Sequence, residues 1–267
     1  MTEASSTRFS ALLAQLAPRA ESQSALISDD WLQGRTTYGG LSAALCLAAA
    51  EHRLADLPPL RSAQFTFVGP VSGAVDAEVL ELRRGRSSVV VGVDLRHDGA
   101  VATRAVLVFG AHRPTDPDYL DLPRPTDVPP PDACVPFNLE ALGLRFHHHF
   151  DIRVAAGMPL SGAEKAENLI WMRHRDEAHG NSMAALIALA DLPPPAALAV
   201  RRAPERLSTM SWMLTVLRDP SEVAPGWALS RSTAEHLSGG YSAQTMALWD
   251  ADGQPVLSGR QSVALFA

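Results

Sequence analysis

Asp191 stands where a carboxylate is hard to keep charged. It falls in the last turn of an apolar run, Met183–Leu192, that Pro193, Pro194 and Pro195 then stop. Charge there meets the negative end of a helix dipole, and Leu186, Ile187, Leu189 and Leu192 would desolvate it. Such a carboxyl can be poised for proton transfer. The alternative is a polar cap with its side chain in water. Gln261 is the second candidate. Along Val256–Phe266, period-two alternation sets Gln261 beside Val263 and Leu265, with Arg260, Ser262 and Ala264 on the other face. If the apolar face meets a helix, the amide is buried and needs partners; otherwise it is a solvent-facing Gln. Thr209 lies in Leu207–Leu217, where threonine is common for steric reasons alone. Ser208 and Ser211 are near enough to compete for any hydroxyl role. Gly39 and Gly40 open another apolar run, to Ala50. They let a ligand approach the N–H groups of a helix start, or equally let the helix pack tightly on a sheet.

Other chemistries find little support. No G-x-S-x-G elbow is present, which argues against a serine nucleophile. No Gly-Lys-Ser/Thr is present either, so a phosphate loop is not expected. His147, His148 and His149 would alternate faces on a strand, and no carboxylate or cysteine accompanies them at ligand spacing, so no metal is expected. Asp29-Asp30 before Trp31 reads as a solvated turn or cap. Cys46 and Cys134 read as two reduced structural thiols. The chain carries 29 acidic against 23 basic residues, and Lys165 is its one lysine. That balance excludes the basic footprint of a nucleic-acid binder. The N-terminus, with Glu3 and an apolar stretch Phe9–Leu16 broken by Ser10 and Gln15, makes a poor secretory signal. Leu41–Ala50 is about half of what a membrane span needs. A cytoplasmic protein without a membrane span is expected.

The elements that must position these residues form a tandem repeat. Eight prolines between Arg113 and Pro136 predict a stiff extended connector between two halves. In the first half Gly39-Gly40 would start a helix along the apolar run to Ala50, built of Leu, Ala and small residues and followed by Glu51-His52-Arg53, with Pro58-Pro59 beyond its end. Strands are predicted at about Ala63–Val68, Ala74–Arg83, Ser87–Arg96 and Ala100–Ala111. In the second half the helix Met183–Leu192 precedes strands at about Leu207–Leu217, Trp227–His236, Tyr241–Trp249 and Val256–Phe266. Leu144–Val154 and Ile170–Arg175 supply strands ahead of it. The turn glycines agree in spacing: Gly85 and Gly239, like Gly99 and Gly253, lie 154 residues apart. Helices apolar nearly all round imply curved antiparallel sheets wrapped about them.

The whole pattern resembles the acyl-CoA thioesterase II family. The resemblance rests on Tyr38-Gly39-Gly40, on Ser62–Val68 ending in Gly69-Pro70, and on Leu82-Arg83-Arg84-Gly85-Arg86-Ser87. In the second half it rests on Leu189-Ala190-Asp191-Leu192, Ser208-Thr209-Met210-Ser211-Trp212 and Ser258-Gly259-Arg260-Gln261. It implies an α+β double hotdog: an N-terminal unit over residues 1–112, a linker over 113–136 and a C-terminal unit over 137–267. It further implies hydrolysis of fatty acyl-CoA to free acid and CoA, without a cofactor or acyl-enzyme. Asp191, Thr209 and Gln261 would hold the attacking water, and Gly39 and Gly40 would face the oxyanion. The linker, Trp212 or Met213 are candidates for the wall of an acyl tunnel. Arg83, Arg84, Arg86, Arg201, Arg202 and Arg206 could meet CoA phosphates, or be ordinary turn arginines. A non-catalytic acyl-CoA or lipid-binding double hotdog is the alternative. A hydratase would want a histidine beside an acid near a helix, yet His52 ends the first helix and His179 precedes the second. Exposed sheet edges leave homo-oligomers open.

Overall fold

The computed structural model describes residues 6–16, 23–138 and 143–266; Glu3 lies outside them. A short helix α1 (Phe9–Leu13) and strand β1 (Gln23–Ile27) come first. Two-residue strands β2 (Leu32–Gln33) and β3 (Thr36–Thr37) lead into helix α2 (Gly39–Arg53). Strands β4 (Leu60–Phe67), β5 (Gly73–Arg84), β6 (Ser88–His97) and β7 (Ala100–Gly110) follow. After the proline stretch come β8 (Val135–Pro136), β9 (Phe150–Ala156) and β10 (Glu167–His174). Helix α3 (Met183–Ala190) then precedes β11 (Arg206–Val216), β12 (Ala228–Ser238), β13 (Tyr241–Trp249) and β14 (Pro255–Phe266).

Twelve strands form one antiparallel sheet in the order β1-β5-β6-β7-β4-β11-β14-β13-β12-β10-β9-β8. Each half wraps one helix, giving an α+β double hotdog. Burial explains the composition of the helices: Gly40–Ala50 of α2 and all of α3 are covered on every side. Such helices need no polar face. The repeated glycines sit in matching hairpin turns, Gly85 and Gly239 before β6 and β13, Gly99 and Gly253 before β7 and β14. At Asp98-Gly99 both residues have positive φ, 49° and 77°, the backbone that a tight hairpin requires.

The halves join where β4 runs beside β11, Phe65 opposite Trp212, their rings 5.5 Å apart. Both side chains are almost wholly buried. The proline stretch is pinned to the second half by two indoles: Trp249 donates to the Leu122 carbonyl and Trp171 to that of Pro129.

Three details differ from the sequence reading. Phe146–His149 is a 3-10 turn, and the strand begins only at Phe150. Aromatic stacking coils it: Phe146 lies on Tyr38 at 4.4 Å and His149 on Trp31 at 3.7 Å. Asp30 is not a solvated turn residue; it accepts the Thr7 N–H and lies 2.9 Å from His149 Nε2. Ala264 is buried despite its outward register, because its small side chain sits between Ser208 and Tyr241 of the neighbouring strands.

Because Trp212 fills the seam between halves, Trp212→Ala is expected to cost about 3–5 kcal/mol. The shift of the urea unfolding midpoint checks it.

Candidate active site

Asp191 is the C-cap of α3, still in helical conformation at φ −84° and ψ −4°. The three prolines after it prevent another turn. Its carboxylate receives two N–H donors. Gln261 Nε2 donates to Oδ1 at 2.6 Å, and the Gly40 N–H donates from the first turn of α2. Helix α2 has no side-chain N-cap of its own; Asp191 caps it from the other helix. One edge of Asp191 lines a cavity while protein encloses the rest, so it is half-buried. Burial is the dominant influence and pushes its carboxyl up to about 7, against the pull of the Gln261 and Gly40 donors.

Both glycines are required by close approach. A Cβ at Gly39 would lie 2.8 Å from Asp191 Oδ2, and one at Gly40 would lie 2.7 Å from the Ala188 carbonyl oxygen. The Gly40 N–H is therefore committed to Asp191. Gly39, heading α2, has no intrahelical acceptor for its own N–H. Tyr38 holds the two helix ends together. Its buried hydroxyl donates to the Ala188 carbonyl at 2.5 Å. Burial, then the nearby Asp191 charge, raises the phenol's pKa and keeps it a donor.

The cavity has a volume of about 360 Å³, with Asp191, Gly39, Phe67, Thr103, Ser208 and Thr209 in its wall. Asp191 is the one ionisable side chain there among the described residues. A β-bulge decides the hydroxyl. The register of β11 shifts between Thr209 and Ser211, so Thr209 and Trp212 both turn inward while Met210 and Ser211 are exposed. Thr209 is half-buried at the wall and Ser208 is exposed at the rim. Ser211 does not reach the cavity.

Gln261 is buried behind Asp191 and does not line the cavity. Its Oε1 accepts from Gln244 Nε2 at 2.7 Å, and Gln244 Oε1 accepts the Ala196 N–H at 2.8 Å. Tyr38 as a clamp and Gln244 as a partner were missed by sequence reasoning. Gln244 carried a usable signal: on β13 it alternates onto one face with Met246 and Leu248, where an amide is out of place.

Other expected residues lie elsewhere. Trp212 is in the seam, Met213 is exposed on the outer side of the sheet, and the proline stretch contributes nothing to the wall. Arg84 pairs with Glu81 and Arg201 with Glu205; no arginine among the described residues lines the cavity. No histidine lines it either, and the Nδ1 of His52 is engaged with the Leu16 carbonyl. Cys46 is buried within α2, its thiol pushed up to about 12, which disqualifies it as a nucleophile. Two larger clefts, about 760 Å³ near Glu51 and Arg61 and about 730 Å³ over Leu186 and His174, do not include Asp191.

Two substitutions test this junction. Tyr38→Phe strands the Ala188 carbonyl and is expected to cost about 1–3 kcal/mol. Gly40→Ala must separate the helix ends and should lower the thermal midpoint further. Thermal unfolding of both variants beside the parent checks the order.

No helix among the described residues is long and apolar enough to cross a membrane. No curated protein sequence matches the chain. Solved structures do. A hotdog-fold protein from Alicyclobacillus acidocaldarius is 24% identical, with 98% of this chain and 99% of that one covered at a TM-score of 0.88. A tesB protein of Mycobacterium avium subspecies paratuberculosis is 16% identical over 97% of this chain and 100% of that one, TM-score 0.76. The acyl-CoA thioesterase II TesB2 of Mycobacterium marinum is 17% identical over 92% and 93%, TM-score 0.70. At these identities the likeness is one of fold. The sequence itself matches the acyl-CoA thioesterase N-terminal domain over residues 27–110 and the C-terminal domain over residues 122–265. With both domains matched in order along one chain, this protein belongs to the acyl-CoA thioesterase family.

Proposed function

We propose that the protein hydrolyses fatty acyl-CoA thioesters by direct attack of water, with Asp191 as general base. The observation that carries this reading is the setting of Asp191: a carboxyl raised to about 7, in the wall of a cavity, beside a helix N-terminus. A base with that proton affinity is ionised in useful amount near neutral pH yet still accepts a proton from water. Thr209, whose hydroxyl has no hydrogen-bond partner among the described residues, is free to orient the water from the same wall. Gln261 meets the water only through Asp191, so its role is to aim the carboxylate.

Water attacks the thioester carbonyl carbon as Asp191 takes its proton. The tetrahedral oxyanion faces the start of α2, where Gly39 offers an N–H that no intrahelical acceptor takes. Collapse breaks the C–S bond; the proton on Asp191 passes to the departing thiolate, giving free acid and CoA thiol. The base is regenerated, and neither a nucleophilic side chain nor an acyl-enzyme is needed.

The test is thiol release from acyl-CoAs of graded chain length. Wild-type kcat/KM should rise with pH through about 7 and level above it, since the ionised carboxylate is the active form. Asp191→Asn should lose about 10²–10⁴-fold. At pH 8 it should also gain stability of about 1 kcal/mol, only part of the full linkage because the carboxylate keeps some solvent contact. The sign follows from a folded pKa raised above the unfolded 3.8: folding binds a proton between pH 4 and 7, so stability falls as pH rises across that window. The gain should therefore shrink below pH 7. Full turnover by the folded Asn variant would overturn the assignment of the base, and saturable acyl-CoA binding without any turnover by the wild type would leave a lipid-binding protein.

A further inference from the structure

We infer that Gln244 is a positioning residue that fixes which end of the Gln261 amide faces Asp191. This rests on the reading of Asp191 as the base and assigns a part to a residue outside the cavity.

The polarity of the chain Ala196–Gln244–Gln261–Asp191 is set at its far end. A backbone N–H can only donate, so the Ala196 N–H must meet the oxygen of Gln244, at 2.8 Å. The Gln244 nitrogen then points to Gln261 and can only donate, which selects the Gln261 oxygen as acceptor, at 2.7 Å. The Gln261 nitrogen is thereby left to Asp191, at 2.6 Å. Reversing any amide would set two donors or two acceptors against each other in a buried place. The anchor is itself held. Asn168, buried on β10, donates to the Pro194 carbonyl at 2.8 Å and fixes the proline turn that carries Ala196.

Strand β13 does not need an amide at this place to fold. In the first half, β6 and β7 pair with Val93 opposite Ala105, and Ala105 lies opposite Phe65 of β4. In the second half, Gln244 lies opposite Gln261 and Gln261 opposite Trp212. Since Phe65 and Trp212 face each other across the seam, Val93 occupies the position of Gln244 and Ala105 that of Gln261. An apolar pair fills the same frame in the half that lacks the carboxyl.

The groups that act on Asp191 are burial itself, Gln261 and Gly40, and the Tyr38 phenol is a titratable group close enough to feel its charge. A change at residue 244 is therefore read with little interference. Gln244→Glu keeps an acceptor for Ala196 but, once ionised, can no longer donate to Gln261. The Gln261 amide must then turn its nitrogen to the introduced carboxylate and its oxygen to Asp191, which favours the protonated acid.

The experiment follows Asp191 by carboxyl ¹³C titration, its signal identified by loss in Asp191→Asn, together with the pH profile of acyl-CoA hydrolysis. Four proteins are compared: wild type, Gln244→Glu, Gln261→Met and the double variant. Gln244→Glu is expected to raise the Asp191 midpoint, and the acid limb of kcat/KM, by a pH unit or more. In the Gln261→Met background the same change should move the midpoint by less than half as much. Equal shifts with and without Gln261 would mean that the added charge acts alone and would overturn the inference, as would no shift. Gln244→Val, the residue found at the matching position, guards against misfolding of the Glu variant. It should fold, with kcat lowered about tenfold and KM within twofold; wild-type kcat would overturn the proposal. A midpoint that responds in a protein whose turnover ignores Asp191→Asn would keep the relay and discard Asp191 as base.

Discussion

The carboxylate of Asp191 ends α3 and receives the Gly40 N–H at the start of α2, so it meets two helix dipoles of opposite sign. Burial outweighs the pull of the Gln261 and Gly40 donors and leaves the carboxyl near 7. The contact makes demands on much of the chain. Two helix ends can approach this closely only if the first residues of α2 lack a Cβ, hence Gly39 and Gly40. The Ala188 carbonyl, orphaned as α3 runs out, needs a donor, hence Tyr38. The helix must stop at residue 191, hence three prolines. The chain beyond them must not drift, hence Asn168 and Gln244 on Pro194 and Ala196.

Duplication supplies the frame but only half of it carries polar groups. Asp191 comes eight residues after Met183 at the head of α3; eight residues after Gly39 at the head of α2 comes Leu47, fully buried. Ala105 and Val93 answer to Gln261 and Gln244 by strand register. The first half thus holds Leu47, Ala105 and Val93 where the second holds Asp191, Gln261 and Gln244. A buried polar network is favourable only when every member is satisfied, and the first half avoids that requirement with side chains that make no demand. What it contributes to Asp191 instead is backbone: the Gly40 N–H at the start of α2. The cavity takes Asp191 and Thr209 from the second half and Gly39, Phe67 and Thr103 from the first, so neither half contains it alone.

Much of the frame was legible before any coordinates, because local rules govern it. Two all-apolar helices, the hairpin glycines 154 residues apart and the inward face of Gln261 follow from period and turn chemistry. Asp191 was visible as a charge where a helix end and leucines argue against one. What stayed hidden depends on contacts far apart in sequence. The bulge beside Met210 shifts the inward face from what alternation back from Trp212 would give, and alternation knows nothing of it. The coil at Phe146–His149 comes from stacking on Tyr38 and Trp31, more than 100 residues earlier in the chain. Tyr38 reaches across 150 residues to Ala188. The Thr209 hydroxyl became distinguishable from Ser211 only once the cavity wall existed.

The start of α2 serves negative charge, and under the proposed reaction the quantity of that charge never changes. Before attack it resides on Asp191, held by the Gly40 N–H. As Asp191 takes the proton of the water it becomes neutral, and the same unit of charge appears on the thioester oxygen. A helix dipole and the N–H groups at its head are fixed in direction, so they stabilise either location without reorganising. A base placed far from the oxyanion would need one donor set for its own ionised form and another for the transition state. With both at one helix start, whatever favours the carboxylate also favours the state that replaces it. Preorganisation therefore need not come at the expense of base strength: a donor that only stabilised Asp191 would weaken it as a base, whereas donors shared with the oxyanion return that stabilisation at the transition state.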